Sequence, residues 1–228
     1  MTPRSRRAKR LSASIIIATL VLVAFAFGHQ ALALNADARQ LEQPIGPAPK
    51  GNQSCLDNHP RQAADSLLEL VNARLAWMPA VARSKWILDL PIEDEARERD
   101  VLASAVTEVN RYAEAVNLPP PSEQVILRFY TAQIEAAKTL QRRWMSQQTI
   151  NSRSIERTTE DQRRQARNQL SHAIRPDLLD LGKQMAALIV QQAASPRRPK
   201  AQAIASCLQH HALPQEQLQE LVDAISAL

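Results

Sequence analysis

The stretch Arg74–Glu98, RLAWMPAVARSKWILDLPIEDEARE, decides how the rest of the chain is read. Apolar residues at Leu67, Leu70/Val71, Met78, Val81 and Leu88 recur at helical spacing through it and ahead of it. Arg74 and Lys85 lie on that apolar stripe, not opposite it. They stand about three helical turns apart, so both point the same way. Two cations turned toward a core are costly unless an anion meets them. Pro91 ends the run, and a second helix opens with acid and brings Asp94, Arg97 and Glu98 within one turn. The ensemble reads as a cradle for a small anion that carries more than one carboxylate.

Working outward, the 228-residue chain is long enough for one sizeable domain or two small ones. Four glycines and 4% aromatic residues argue against all-β and dinucleotide-binding architectures, which need glycine for tight turns. The abundance of Ala, Leu, Gln, Arg and Glu favours helix. The pattern predicts an all-α fold of five to seven helices and no strand, in one globular domain.

Residues 1–33 read as a signal peptide. Arg4, Arg6, Arg7, Lys9 and Arg10 form a basic start, and Ser14 to Phe27 form an apolar stretch short for a membrane span. Ala31-Leu32-Ala33 fits a small-x-small cleavage site, and an uncleaved anchor is the competing reading. Without those five basic residues, 23 Lys and Arg face 23 Asp and Glu. The mature chain is therefore neutral, and nothing in it asks for nucleic acid. Export also permits a disulfide between the two cysteines, Cys55 and Cys207. Closing that loop would stabilise by roughly 4–5 kcal/mol on chain-entropy grounds. A reactive or metal-binding pair is the alternative, but no His/Cys cluster surrounds either residue.

Residues 34–60 are punctuated by Pro44, Gly46, Pro47, Pro49 and Gly51 and read as an irregular lead-in. Residues 61–148 carry the core helices. The first, over 61–90, is expected to bend near Trp77-Met78 because Pro79 interrupts it. The second, over 92–117, buries Val101, Leu102, Ala105, Val109 and Val116. The third, over 123–146 with Ser122 as its cap, turns Ile126, Phe129/Tyr130, Gln133, Ala137, Leu140/Gln141 and Trp144 inward. Gln133 reads as a satisfied core amide and Gln141 as a ligand residue. Residues 149–228 complete the same domain. There the polar stretch 147–166 is a linker or a solvated helix start. Residues 167–193 regain helical period, with a restart at Pro176, and 200–211 and 214–228 form two short closing helices. Gly182 inside the long pattern suggests close approach of a helix or ligand. His172, His210 and His211 read as isolated surface or filler histidines.

Arg74, Lys85 and the LPIEDEARERDVL segment together resemble the helical chorismate mutase family, and KW…LPIED with the export signal is similar to its secreted or periplasmic subclass. The resemblance covers residues 61–146 closely and the C-terminal third loosely. It implies rearrangement of chorismate, a dicarboxylate, to prephenate in one pericyclic step, with no metal, cofactor, base or nucleophile. It implies Lys85 as donor to the breaking ether oxygen and Gln141 as second donor, at a position where some secreted members carry glutamate. Arg74 would pair with one carboxylate, Arg97 would orient the substrate, and Glu98 with the backbone around Asp94 would take the ring hydroxyl. Val101 and Ala137 fall at wall positions. Lys183 is assigned to the second carboxylate, with Arg175 two turns earlier. A homodimer, periplasmic or secreted location and no membrane attachment after cleavage complete what the resemblance implies. The residues alone leave Arg97 and Glu98 open as exposed helix residues, and Asp94 as a helix cap. Two other functions compete: isochorismate-pyruvate lyase on the same scaffold, and a non-enzymatic exported helical protein that binds a partner helix.

Overall fold

The computed structural model describes residues 63–151, 158–196, 199–208 and 211–228. All of them fall within one compact unit, Gly46–Leu228. The signal-like segment, the lead-in 34–60, Cys55, His210 and the middle of the polar stretch lie outside the described residues. The described residues form helices and no strand.

Leu67, Leu68, Val71 and Leu75 give α1 (Ala63–Ala76) a fully buried face. Trp77 separates it from α2 (Met78–Ile87), where Pro79 falls in the first turn and its missing N–H leaves nothing unsatisfied. Trp77 keeps helical dihedrals, and its amide still donates to the Arg74 carbonyl at 3.2 Å. The expected kink is therefore a joint in one rod. α2 stops at a Schellman-type end: Leu90 N–H donates to the Lys85 carbonyl at 2.8 Å and Asp89 N–H to the Trp86 carbonyl at 3.3 Å. Asp89 takes the left-handed position that glycine usually fills, at φ 55°. Asn117 does the same beyond α3 (Glu95–Ala115), at φ 54°. This glycine-poor chain ends its helices with the two residues that best tolerate that conformation.

α3 and α4 (Glu123–Asn151) form a long hairpin. Ser122 caps α4 weakly, accepting from Val125 N–H at 3.4 Å. α4 runs past 146, so the polar stretch begins as helix. It resumes in α5 (Glu160–Gln169), which Thr159 and Gln162 close with a reciprocal capping box. A π-helical turn, Leu170–Ile174, joins α5 to α6 (Arg175–Ala194), with Pro176 in the first turn. α7 (Ala201–Leu208) and α8 (Gln215–Ser226) close the bundle.

Two apolar clusters result. The larger gathers α1, α3, α4, α6, α7 and α8 around Phe129, Leu67, Met185 and Leu221, all fully buried. The smaller joins Trp77, Met78 and Val81 to Ala137, Leu170 and Ile174. Val116, expected inside, is 41% exposed, because α3 has ended by then and the residue sits on its cap. His211 is no isolated filler: its Nε2 lies 3.0 Å from Asn72 Oδ1 and ties α1 to the start of the last segment.

Gly182 does not mark the close approach of another helix, but it lines a cavity. A Cβ there would meet nothing within 4 Å. Its carbonyl accepts a hydrogen bond from the Tyr130 hydroxyl at 3.2 Å, which any residue would permit. Gly182→Ala should therefore raise stability by up to about 1 kcal/mol, the usual difference in helix propensity. Urea unfolding that showed a loss instead would mean that the space beside Gly182 is needed.

Candidate active site

The C-terminal turns of α1 and α2 carry Arg74 and Lys85, where the helix dipole favours cations. Both side chains line a cavity of about 220 Å³. Met78, Val81, Ala137 and Leu170, all from the smaller apolar cluster, form its greasy walls. Asp94, Arg97, Glu98 and Val101 enter from α3, Lys138 and Gln141 from α4, and Arg175 from the start of α6. The joint at Trp77 lets two short helices present their terminal cations to one space.

Arg74 is the most exceptional of these groups. Its Nε is buried and has no hydrogen-bond partner among the described residues. Burial pulls its pKa down, and the charge of Arg97 adds to that, while Tyr130 opposes it. Among the described residues no ion pair involves Arg74, Lys85, Arg97 or Arg175. Lys85 Nζ instead donates to the Ile92 carbonyl at 2.8 Å. Burial holds the Lys85 ammonium below the ordinary lysine value. Asp94 opposes that, Arg97 reinforces it, and Glu93 and Glu98 oppose it further. Arg175 is lowered by burial and by Arg97, with Asp94 again opposing.

The loop that delivers Asp94 is fixed at both ends. Glu93 Oε1 accepts from Arg142 Nη2 at 2.6 Å and Nε at 3.1 Å, and this hydrogen bonding to Arg142 holds the Glu93 carboxyl below its usual range. Asp94 Oδ1 caps α3 by accepting from Arg97 N–H at 3.1 Å. Glu98 Oε1 reaches back to Asp94 N–H at 3.4 Å.

Lys138 was not foreseen. Its Nζ lies 3.1 Å from Glu98 Oε2 and 2.6 Å from Glu135 Oε1, with 12% of its side chain exposed. Burial lowers its pKa, but the hydrogen bonds to Glu135 and Glu98 outweigh that and leave it raised. Lys138 thus holds the Glu98 side chain in place at the cavity wall. The signal was present: Lys138 stands one turn from both Gln141 and Glu135 on an inward-facing helix.

Gln141 is 6% exposed. Its Nε2 donates to the Ala137 carbonyl at 3.3 Å and to Met78 Sδ at 3.6 Å, and its Oε1 is buried without a partner among the described residues. Gln133 is fully buried in the core, yet neither polar atom of its side chain has a partner among the described residues. It is not the satisfied amide expected, and nothing in the packing accounts for it.

Lys183, expected at the second carboxylate, and Arg175 two turns before it line different spaces. Arg175 lines the cavity with Arg74 and Lys85, whereas Lys183 lines only an adjoining cavity of about 320 Å³. Cys207 is buried on α7, but its expected partner Cys55 lies outside the described residues.

Residues 62–142 match the family described as chorismate mutase type II. In fold the chain is similar to the secreted chorismate mutase of Yersinia pestis, with a TM-score of 0.55 and 20% identity over 70% of this chain and 94% of that one. It is likewise similar to a chorismate mutase from Burkholderia phymatum, with a TM-score of 0.51 and 22% identity over 72% of this chain and 97% of that one. No curated protein sequence matches. The type II chorismate mutase match spans α1 to α4 and ends just after Gln141, so Arg175 comes from outside it.

The electrostatics yield a direct test. Asp94 raises the Lys85 pKa against burial, so Asp94→Asn should move the Lys85 ammonium titration to still lower pH. Asparagine remains a good helix cap, so α3 should keep its start. Nitrogen-detected NMR of labelled lysine reads the shift directly, and an unmoved titration would show that Asp94 does not act on Lys85.

Proposed function

We propose that this protein is an exported chorismate mutase that rearranges chorismate to prephenate. The observation that carries the substrate class is charge. Five cations line the cavity, Arg74, Lys85, Arg97, Lys138 and Arg175, against two carboxylates, Asp94 and Glu98. Glu135 takes up a further charge through Lys138. Two positive charges remain, which is what a dicarboxylate neutralises.

The rearrangement breaks an ether C–O bond and forms a C–C bond within one molecule. No proton need move. The protein's contribution is to hold the enolpyruvyl arm over the ring and to meet negative charge growing on the ether oxygen. Lys85 is the donor to that oxygen, and Gln141 Nε2 is the second. Arg74 takes one carboxylate through its planar fork, and Arg175 takes the other in place of Lys183. Arg97 orients these cations by repulsion and binds from the α3 side. Glu98, held by Lys138, accepts the ring hydroxyl beside the Asp94 backbone. Val101 and Ala137 keep the walls close to the ring.

Export belongs to the same reading. Residues 1–33 act as the signal peptide, with its basic start, apolar stretch and Ala31-Leu32-Ala33 site in support. No helix among the described residues is long and apolar enough to cross a membrane. A periplasmic or secreted chain then joins Cys55 to Cys207 and works as a homodimer. Residues 61–148 supply the reaction core and residues 149–228 complete the domain.

A chorismate consumption assay on the chain from Leu34, with product analysis for prephenate, tests the reading. Lys85→Ala should lower kcat by about 10²–10³, the range for loss of one transition-state donor, with helicity unchanged. Gln141 has no proton to gain or lose, so activity should need no acidic pH. The alkaline limb of kcat/KM should begin below the ordinary lysine value of 10.5, because the free-enzyme Lys85 loses its charge early. Near-normal turnover in Lys85→Ala, or pyruvate as the product, would overturn the assignment.

A further inference from the structure

We propose that the adjoining cavity binds a small monocarboxylate with an apolar body, and that its occupancy weakens binding in the reaction cavity. Only the kinetic consequence rests on the proposed function; the binding site stands on geometry alone. The adjoining cavity is the larger of the two, about 320 Å³ against about 220 Å³. They share three cations, Arg74, Arg97 and Arg175. Lys183 adds a fourth that the reaction cavity lacks. Asp100 and Glu108 also line the space, but Glu108 already pairs with Arg111 at 2.6 Å. Four cations against two carboxylates leave an excess that favours an anion.

The rest of the wall sets the ligand's body. Ala105, Leu178 and Leu179 line the cavity, and Leu179 is 58% exposed, the most exposed of the large apolar residues described. An inorganic anion would leave that apolar surface wet, whereas an organic acid covers it and gains from the burial. Tyr130 does not compete for the carboxylate, because its hydroxyl is committed to the Gly182 carbonyl.

Sharing the arginines couples the two cavities. A carboxylate in the adjoining space draws the three guanidinium groups toward itself and repels the substrate carboxylate that needs them. The same linkage requires the substrate to weaken the second ligand equally. The buried, unpartnered Arg74 Nε shows that at least one donor of this shared set is left over when no ligand is present.

Calorimetry of the mature chain with benzoate tests the site, using variants that touch one cavity each. Lys85 lines only the reaction cavity, while Leu179 and Lys183 line only the adjoining one, and both of the latter are exposed enough for the fold to tolerate change. Benzoate binding should survive Lys85→Ala and fall by about tenfold or more in both Lys183→Glu and Leu179→Glu, in the range of a lost charge-pair contact. Acetate, which lacks the apolar body, should bind more weakly than benzoate. Saturating benzoate should raise KM for chorismate by about tenfold, an ordinary coupling between sites. Absent binding to the unsubstituted chain, loss in Lys85→Ala with retention in the other two, or the same effect in all three variants would overturn the proposal. An enzyme that ignores chorismate yet binds benzoate in this pattern would sink the proposed function and leave the site standing.

Discussion

A guanidinium held inside an apolar bundle without a carboxylate partner is the constraint on which this structure turns. Arg74 cannot shed its proton, so its burial is a standing cost to the fold. Its position on the last turn of α1 recovers part of that cost through the helix dipole. Its neighbour Arg97 adds to the cost, and Tyr130 offsets part of it. Such a cluster persists only because the surrounding helices over-determine it. Under the proposed function its counterpart is an anion that brings two negative charges and finds its partners already in place. Preorganised charge in a water-poor space is where electrostatic catalysis has its largest effect.

The scaffold answers that strain by dividing its apolar residues. The larger cluster, anchored by Phe129 and Met185, supplies stability well away from the cations. The smaller one does little but wall the cavity, through Met78, Val81, Ala137 and Leu170. Between them runs α4, which turns Tyr130 to the adjoining cavity and Ala137 and Gln141 to the reaction cavity. The Leu90–Asp94 connection is stitched from outside by Glu93 and Arg142 and from inside by Lys85 and the Ile92 carbonyl. Lys85 therefore serves the loop, and under the proposed function a substrate oxygen would take the place of the Ile92 carbonyl.

Helical period made Arg74, Lys85 and Gln141 legible, because period reports direction about an axis and these residues defied the expected polarity. It did not report depth. Arg175 and Lys183 lie on one side of α6, roughly 12 Å apart along the axis at 1.5 Å per residue, and only packing decides which level meets the cavity. The π-helical turn before Arg175 sets that level, and no periodicity argument anticipates it. Lys138 was hidden differently. Its importance lies in a contact with Glu98 across 40 positions, while its own surroundings read as ordinary surface charge. Val116 was misjudged because a single residue's type was allowed to stand for its environment.

The neutrality of Gln141 bears on the same electrostatics. A carboxyl group at that position would face Met78 at 6% exposure and could donate only when protonated. Ionised, it would cancel one of the two positive charges left over among the cavity's lining residues. An amide donates through Nε2 at every pH and leaves the charge balance untouched. Its cost is an Oε1 with no partner among the described residues, a smaller burden than a buried charge. Under the proposed function, with Gln141 silent and arginine permanently protonated, Lys85 is the donor to the ether oxygen whose titration can limit the reaction. The Lys85 ammonium is held down by its burial and by Arg97, and held up by Asp94, Glu93 and Glu98.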